Sequence, residues 1–224
     1  MRITDVTIQV PDPNKAAQFF VETFGIPGTR YGESFTLELG QSSLILEQGD
    51  PAPDGYYHLA FDIPENAIPA ALSQLRDAVP VLPAGDDGIV TASPSWNAHS
   101  IYFNAPGHLN LEFIARHRLQ NAISTPFTLS NILNISEVGI PVDDTLAVAS
   151  MLESRFGFQP FNPPSDMFAP VGDDHGLLIL VKIGRIWFPT EDQPTTTRPL
   201  RIGIEGVQEE INLDEHCTIA GPLR

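Results

Sequence analysis

The sequence predicts an α+β fold assembled from repeated βαβββ modules. Three observations predict it. The order strand, helix, strands occurs twice in the first half of the chain and begins again near Ile135. The segment Ile3 to Asp12 lines up with Ile135 to Asp144 at a spacing of 132 residues. The same spacing, without a gap, brings Phe24-Gly25-Ile26 onto Phe156-Gly157-Phe158. Strand, helix start and helix stop all keep register, and a repeat that keeps its punctuation is stronger than one that keeps hydrophobicity alone.

The first copy opens with the alternating, β-branched run Ile3 to Val10, which reads as a strand. Pro11-Asp12-Pro13-Asn14 breaks it, with Asp12 placed to cap a helix and Pro13 suited to its first turn. Ala16, Ala17, Phe19, Phe20 and Phe24 recur at helical spacing, and Gly25 supplies a stop. Strands over 34–39 and 43–48 follow, with Gly40-Gln41 as turn chemistry between them. The second copy begins with a strand over 58–63, a helix over 65–77 carrying Ile68, Ala71, Leu72 and Leu75, and strands over 89–92, 100–104 and 109–114. The third runs from Ile135 through a helix over 144–156 and strands over 177–183 and 185–188. A strand over 200–204 opens a fourth copy that has no room to develop. Residues 117–131, with their Ser, Thr, Asn and Pro, read as a linker. The expected organisation is thus 1–116 as a two-module domain, 117–131 as linker, and 132–224 as a third module with a partial fourth or tail.

Composition narrows the function. With 42% hydrophobic and 18% charged residues the chain is globular rather than disordered. Twelve basic against 28 acidic residues give a net charge of −16, which argues against nucleic acid or an anionic membrane as partner. No apolar run approaches the ~20 residues of a membrane span, and the start Met1-Arg2-Ile3-Thr4-Asp5 has no apolar signal core, so a cytoplasmic protein is expected. The single cysteine, Cys217, excludes an internal disulfide and has no activating context. There is no Gly-rich phosphate loop, Ser/His/Asp order or Cys-x-x-Cys pair, so no nucleotide cofactor is expected.

Three local patterns resemble the vicinal-oxygen-chelate superfamily of glyoxalases, extradiol dioxygenases and bleomycin-resistance proteins. They are the opening strand with Val10-Pro11-Asp12 and a helix ending in Phe24-Gly25-Ile26; His58-Leu59-Ala60-Phe61; and the run Ile101 to Glu112 through Asn104-Ala105-Pro106-Gly107-His108. The resemblance implies curved mixed sheets that form an open, barrel-like cleft around one divalent ion. It implies ligands on the first and last strands of paired copies, which carries over to Asp5, Glu47, His58 and Glu112, with Glu112 and Glu47 as proton-transfer candidates. The family commonly has an imidazole where this chain has Asp5. One imidazole with carboxylates is a harder set than the two-His iron face, and suits Mn²⁺, Mg²⁺ or four-coordinate Zn²⁺. Among Mn, Fe, Ni and Zn the sequence does not choose.

Each candidate also has an ordinary reading. His58 can bond a carbonyl at a sheet edge, and alternation allows Asp5 and Glu112 to be plain surface carboxylates. Glu47 ends its strand. Trp96, His99 and Tyr102 can line the cleft or merely pack the sheet. His108 is expected to be solvated in its turn, and Asp173-Asp174-His175, between two glycines, reads as a hairpin turn. In the third copy Glu137 aligns with Asp5, but Val181 falls near the place of Glu47 and Arg201 near that of His58, so this half is expected to have lost an ion site.

Two classes of function remain open for a small-molecule ligand. One is a metal-dependent enzyme acting on adjacent oxygens, with lyase- or isomerase-type enediolate chemistry ahead of extradiol ring cleavage. The other is a metal-free binding protein of the bleomycin-resistance kind. The third module needs cover for Leu178, Leu180, Ile186 and Phe188, from the tail or from a twin; a homodimer is the expectation.

Overall fold

The computed structural model describes residues 1–49 and 55–223; Arg224, the end of the expected third segment, lies outside the described residues. The first module comprises β1 (Ile3–Val10), α1 (Pro13–Phe24), β2 (Gly28–Tyr31), β3 (Ser34–Leu39) and β4 (Ser42–Gln48). The second comprises β5 (Tyr57–Asp62), α2 (Ile68–Ala78), β6 (Val90–Thr91), β7 (Ala98–Ala105) and β8 (Leu109–Arg116). The third comprises β9 (Asn134–Val142), α3 (Thr145–Phe156), β10 (Phe168–Asp173) and β11 (Gly176–Lys182), and the chain closes with β12 (Leu200–Ile204), β13 (Ile211–Asn212) and β14 (Cys217–Ala220).

The repeat is physical. Asp12 accepts from Lys15 N at 3.0 Å and Asp144 from Ala147 N at 2.9 Å, so the two caps are the same device. Gly25 and Gly157 end their helices at φ of 68° and 72°, a left-handed turn that glycine adopts without a Cβ clash. The helix α2 begins three residues later than expected, because Glu65 N donates to Asn121 Oδ1 at 2.8 Å and ties that turn to the 117–131 segment. In the third module the stretch before β10 carries Pro160, Pro163 and Pro164 and makes only the bridge Pro160–Val171, since proline cannot feed a ladder. The expected hairpin turn at 173–175 is present between β10 and β11.

The strands form two seven-stranded mixed sheets. One runs β13-β14-β12-β1-β4-β3-β2, the other β10-β11-β9-β5-β8-β7-β6. This corrects the expected pairing of modules. Module 1 does not share a sheet with module 2; its β1 pairs antiparallel with β12. Module 2 instead joins module 3, through β5 against β9. Between the sheets lies one large apolar core. Phe20 and Phe24 of α1 meet Phe61, Phe103 and Phe113 of the second sheet edge-on or tilted at 5.5–6.2 Å, so the first module's helix is packed on the second module's strands. That choice of partner leaves the concave face of the second sheet free to form a cleft.

The tail completes the first sheet. β14 runs parallel to β12 and β13 pairs with β14, burying Ile211, Cys217 and Ile219. Leu178 and Leu180 are covered by the core of the same chain, whereas Ile186 and Phe188 remain exposed. The segment expected as a strand at 185–188 is instead part of a loop across the mouth of the second sheet, with Trp187 N bonded to Gln193 O at 2.9 Å. No helix among the described residues is long and apolar enough to cross a membrane.

Candidate metal centre

Strands β5 and β8 are buried on both faces, so any polar side chain on them must find a partner inside the protein. Alternation sends Leu59, Phe61, Leu111 and Phe113 to the core and His58, Asp62, Asn110, Glu112 and Arg116 to the concave side. Register then sets the site. His58 lies beside Asn110, and Ala60 lies between Glu112 on β8 and Glu137 on β9. A bulge at Ser136 shifts the β5–β9 register and turns Glu137 toward the cleft. The nitrogen of His58 and a carboxylate oxygen from each of Glu112 and Glu137 lie within 4.8 Å of one another, all three residues buried.

The surroundings orient these groups. His58 Nδ1 donates to Asn110 Oδ1 at 3.1 Å, and Asn110 Nδ2 donates in turn to Gln193 Oε1 at 3.0 Å. This fixes the amide and leaves Nε2, 3.5 Å from Glu112 Oε2, as the ligand nitrogen. Trp187 and Tyr102 flank the imidazole at 5.2 and 6.4 Å between ring centres. Gly139 makes this possible, because a Cβ there would sit 2.4 Å from the Trp187 ring. Gly139→Ala is therefore expected to unseat Trp187, seen as a red-shifted tryptophan emission with a stability loss of about 1–3 kcal/mol from overpacking; an unchanged spectrum would contradict this packing.

Three carboxylates, Asp62, Glu112 and Glu137, share one wholly buried guanidinium, Arg116. Arg116 bonds Glu137 directly, reaches Ser136 Oγ at 3.0 Å and stands 3.7 Å from Asp62. One cation does not offset three anions out of water. Burial accordingly pushes Asp62, Glu112 and Glu137 each up to about 7. Burial pulls the imidazole of His58 down, which keeps it neutral and fit to ligate. The donor set of one neutral imidazole and two carboxylates, with surplus buried negative charge, fits a divalent cation.

A pH dependence follows. A carboxylate at about 7 in the folded chain and at 4.5 when exposed takes up its proton preferentially when folded. Stability from these groups is present below their ordinary range and is lost as pH rises through about 7. In chelator, the melting temperature is expected to fall across that window; with saturating Mn²⁺ the fall is reduced, because binding releases the protons. Equal slopes with and without Mn²⁺ would count against the site.

The other expected ligands lie elsewhere. Asp5 is on β1, in the first sheet, where Arg201 of β12 bonds its carboxylate at 2.7 Å and Leu223 N adds a bond at 3.1 Å. The carboxylate fills the space over Gly203, so the concavity equivalent to the site is plugged. Glu47 is exposed at the end of β4 beside Gln9, four residues or roughly 13 Å along the sheet from Asp5. Neither is brought to His58, and neither can share in proton transfer there. The residue that takes the place is Glu137, the repeat partner of Asp5. The third module's share of the site is thus one candidate ligand rather than none. Its last strand places Leu177 beside Glu137; two residues on, where β8 has Glu112, stands Ile179, so three protein ligands remain and one side of the site is apolar.

The cleft is a cavity of about 280 Å³. Trp96 and Tyr102 line it, as expected of them, together with Phe168, Ile179, Arg185 and Trp187. His99 does not; its neighbour Ser100 faces the cleft while His99 turns away to His117 at 2.7 Å. His108 is half-buried against Tyr56, at 5.2 Å between ring centres, rather than solvated.

Among solved structures the chain resembles, over 99% of its length and 85% of the other's, a protein from Bacillus subtilis described as a candidate dioxygenase, with a TM-score of 0.61 at 15% identity. It also resembles a glyoxalase I mutant from Zea mays, over 91% of this chain and 75% of that one, with a TM-score of 0.52 at 14% identity. This chain has the vicinal-oxygen-chelate fold. No family model and no curated protein matches its sequence. At such identities the likeness establishes the fold alone, and one fold hosts many chemistries.

Proposed function

We propose that this cleft is the active site of a divalent-metal-dependent enzyme acting on a small molecule with adjacent oxygens, by proton transfer of the isomerase or lyase type. The observation that carries the reading is the convergence of His58, Glu112 and Glu137 inside a cavity large enough for a small organic molecule. These three would hold the ion, with Mn²⁺ or Zn²⁺ suited to one imidazole and two carboxylates. A bound ion would polarise a substrate oxygen and so acidify the adjacent C–H.

The chain's own residues supply the rest. Glu112, with a proton affinity near neutrality, is placed to take a proton and return it. The hydroxyls of Ser100 and Tyr102 beside it stabilise its ionised form. Arg116 anchors Glu137 and leaves its second oxygen for the ion. Trp187 closes the cavity over His58 and limits water. One imidazole instead of two weighs against extradiol cleavage. The metal-free binding reading retains one support, the apolar wall of Ile179, Phe168 and Trp96.

The test is elemental analysis of untagged protein purified without chelator. Near-stoichiometric Mn, Fe, Ni or Zn, lost in His58→Gln, supports the enzyme. No metal, and no thermal shift on adding any of the four, supports the binder.

A further inference from the structure

The cavity contains one cation that the metal site does not use. Arg185 lies on the loop after β11 and lines the cavity with Trp187 and Phe188. Arg116, the other guanidinium nearby, lies among Glu137, Asp62 and Asp174 and does not line the cavity. Arg185 makes no side-chain hydrogen bond and no ion pair among the described residues. Its guanidinium instead stands 5.1 Å over the ring of Phe168. It is half-buried and faces the same cavity as His58. In a chain of net charge −16, a half-buried arginine without an ion pair among the described residues is unusual, since carboxylates are abundant. A guanidinium held by an aromatic face, with its donors unused, is prepared for a planar anion that arrives from solution.

The remaining wall says what that anion is attached to. Trp96, Tyr102, Phe168, Trp187 and Phe188 surround the same cavity. Tyr102 and Phe188 meet edge-on at 5.3 Å, and Trp187 is fixed by its bond to Tyr56 O at 3.1 Å. Fixed aromatic walls favour an apolar or aromatic body over a sugar or a polyphosphate.

We infer that the ligand of this cleft is a small aromatic or apolar carboxylic acid, its carboxylate held by Arg185 and its body packed between Phe168, Trp187 and Tyr102. The inference rests on the reading of the cleft as a substrate site, but not on the metal. The carboxylate end is bound at the mouth, and the other end points toward His58, Glu112 and Glu137.

Trp96 and Trp187 line the cavity, so their fluorescence reports occupancy. The probes are the phenylalkanoates from benzoate to 4-phenylbutanoate and the matching neutral amides, titrated to millimolar concentration with Mn²⁺ and, separately, with chelator. The expected result is binding of at least one acid tenfold or more tighter than its amide, with the preference erased in Arg185→Gln and largely kept in Arg185→Lys. Arg185→Gln should retain Mn²⁺ binding, whereas His58→Gln should lose Mn²⁺ and keep the preference for acids. No preference for any acid, no binding of any probe, or a preference that survives in Arg185→Gln overturns the inference. Loss of the metal result alone, with the acid preference intact, rejects the enzyme reading and leaves this one standing.

Discussion

Glu137→Gln is expected to abolish divalent-metal binding, while Asp5→Asn leaves it unchanged. The first substitution removes one of three protein ligands and replaces an anionic oxygen by a neutral amide, in a site whose fourth side is closed by Ile179. Two remaining donors cannot hold a labile divalent ion against water, so the loss should exceed the 10–100-fold typical of disturbing a group that merely orients a ligand. Glutamine is the informative choice. Alanine would strand Arg116 with too little compensation, and breaking a buried pair costs about 3–5 kcal/mol, so lost binding and lost folding would be confused. The glutamine carbonyl can still accept from Arg116. Isothermal titration with Mn²⁺, alongside thermal denaturation in chelator, reads both quantities. Retained Mn²⁺ affinity in Glu137→Gln, or its loss in Asp5→Asn, would show that the ion sits elsewhere.

The same two residues show what the sequence made legible. The alignment of Ile3 to Asp12 with Ile135 to Asp144 is a statement about local chemistry, and the caps, stops and even the strand bulge recur at the same spacing. The bulge at Thr4 in β1 has its counterpart at Ser136 in β9. His58 and Glu112 were legible because each is a possible metal ligand set among apolar residues in a strand of a recognisable module. Glu137 was visible as the partner of Asp5, yet choosing between them required knowing which modules share a sheet. That choice is made by long-range packing: α1 presents Phe20 and Phe24 to the second sheet, and β12 offers Arg201 to Asp5. Neither contact has a local signature. The place of the fourth ligand likewise depended on strand register, which puts Ile179 rather than Val181 at that position. The 185–188 run reads as a strand by its apolar residues, whereas only Trp187 of them is buried, where it lines the cavity.

Ending the chain after Gly206 is expected to destabilise the first sheet severely and to increase self-association. The deletion removes β13 and β14, and with them the buried side chains of Ile211, Cys217 and Ile219. Each large apolar side chain buried contributes about 1.5–3 kcal/mol, so the loss from Ile211 and Ile219 alone is a large part of the roughly 5–15 kcal/mol that holds an ordinary domain together. Cys217, whose thiol burial pushes away from ionisation, acts here as a small apolar residue and adds to the loss. The deletion also uncovers the outer edge of β12, which lies next to β1 and presents Ile202 and Ile204 from the core. A newly bared edge strand is a template for pairing with another chain. In the full chain the first sheet ends instead in the short β2 and the two-residue β13, edges too brief to recruit a partner strand. The damage should be uneven: the proposed metal ligands belong to β5, β8 and β9, in the other sheet. Chemical denaturation followed by hydrogen exchange is expected to show β1, β4 and β12 losing protection before β5 and β8, and light scattering a higher apparent mass for the truncated chain than for the full one. A truncated chain with unaltered stability and mass would mean that the tail is dispensable and that β12 is closed by something else.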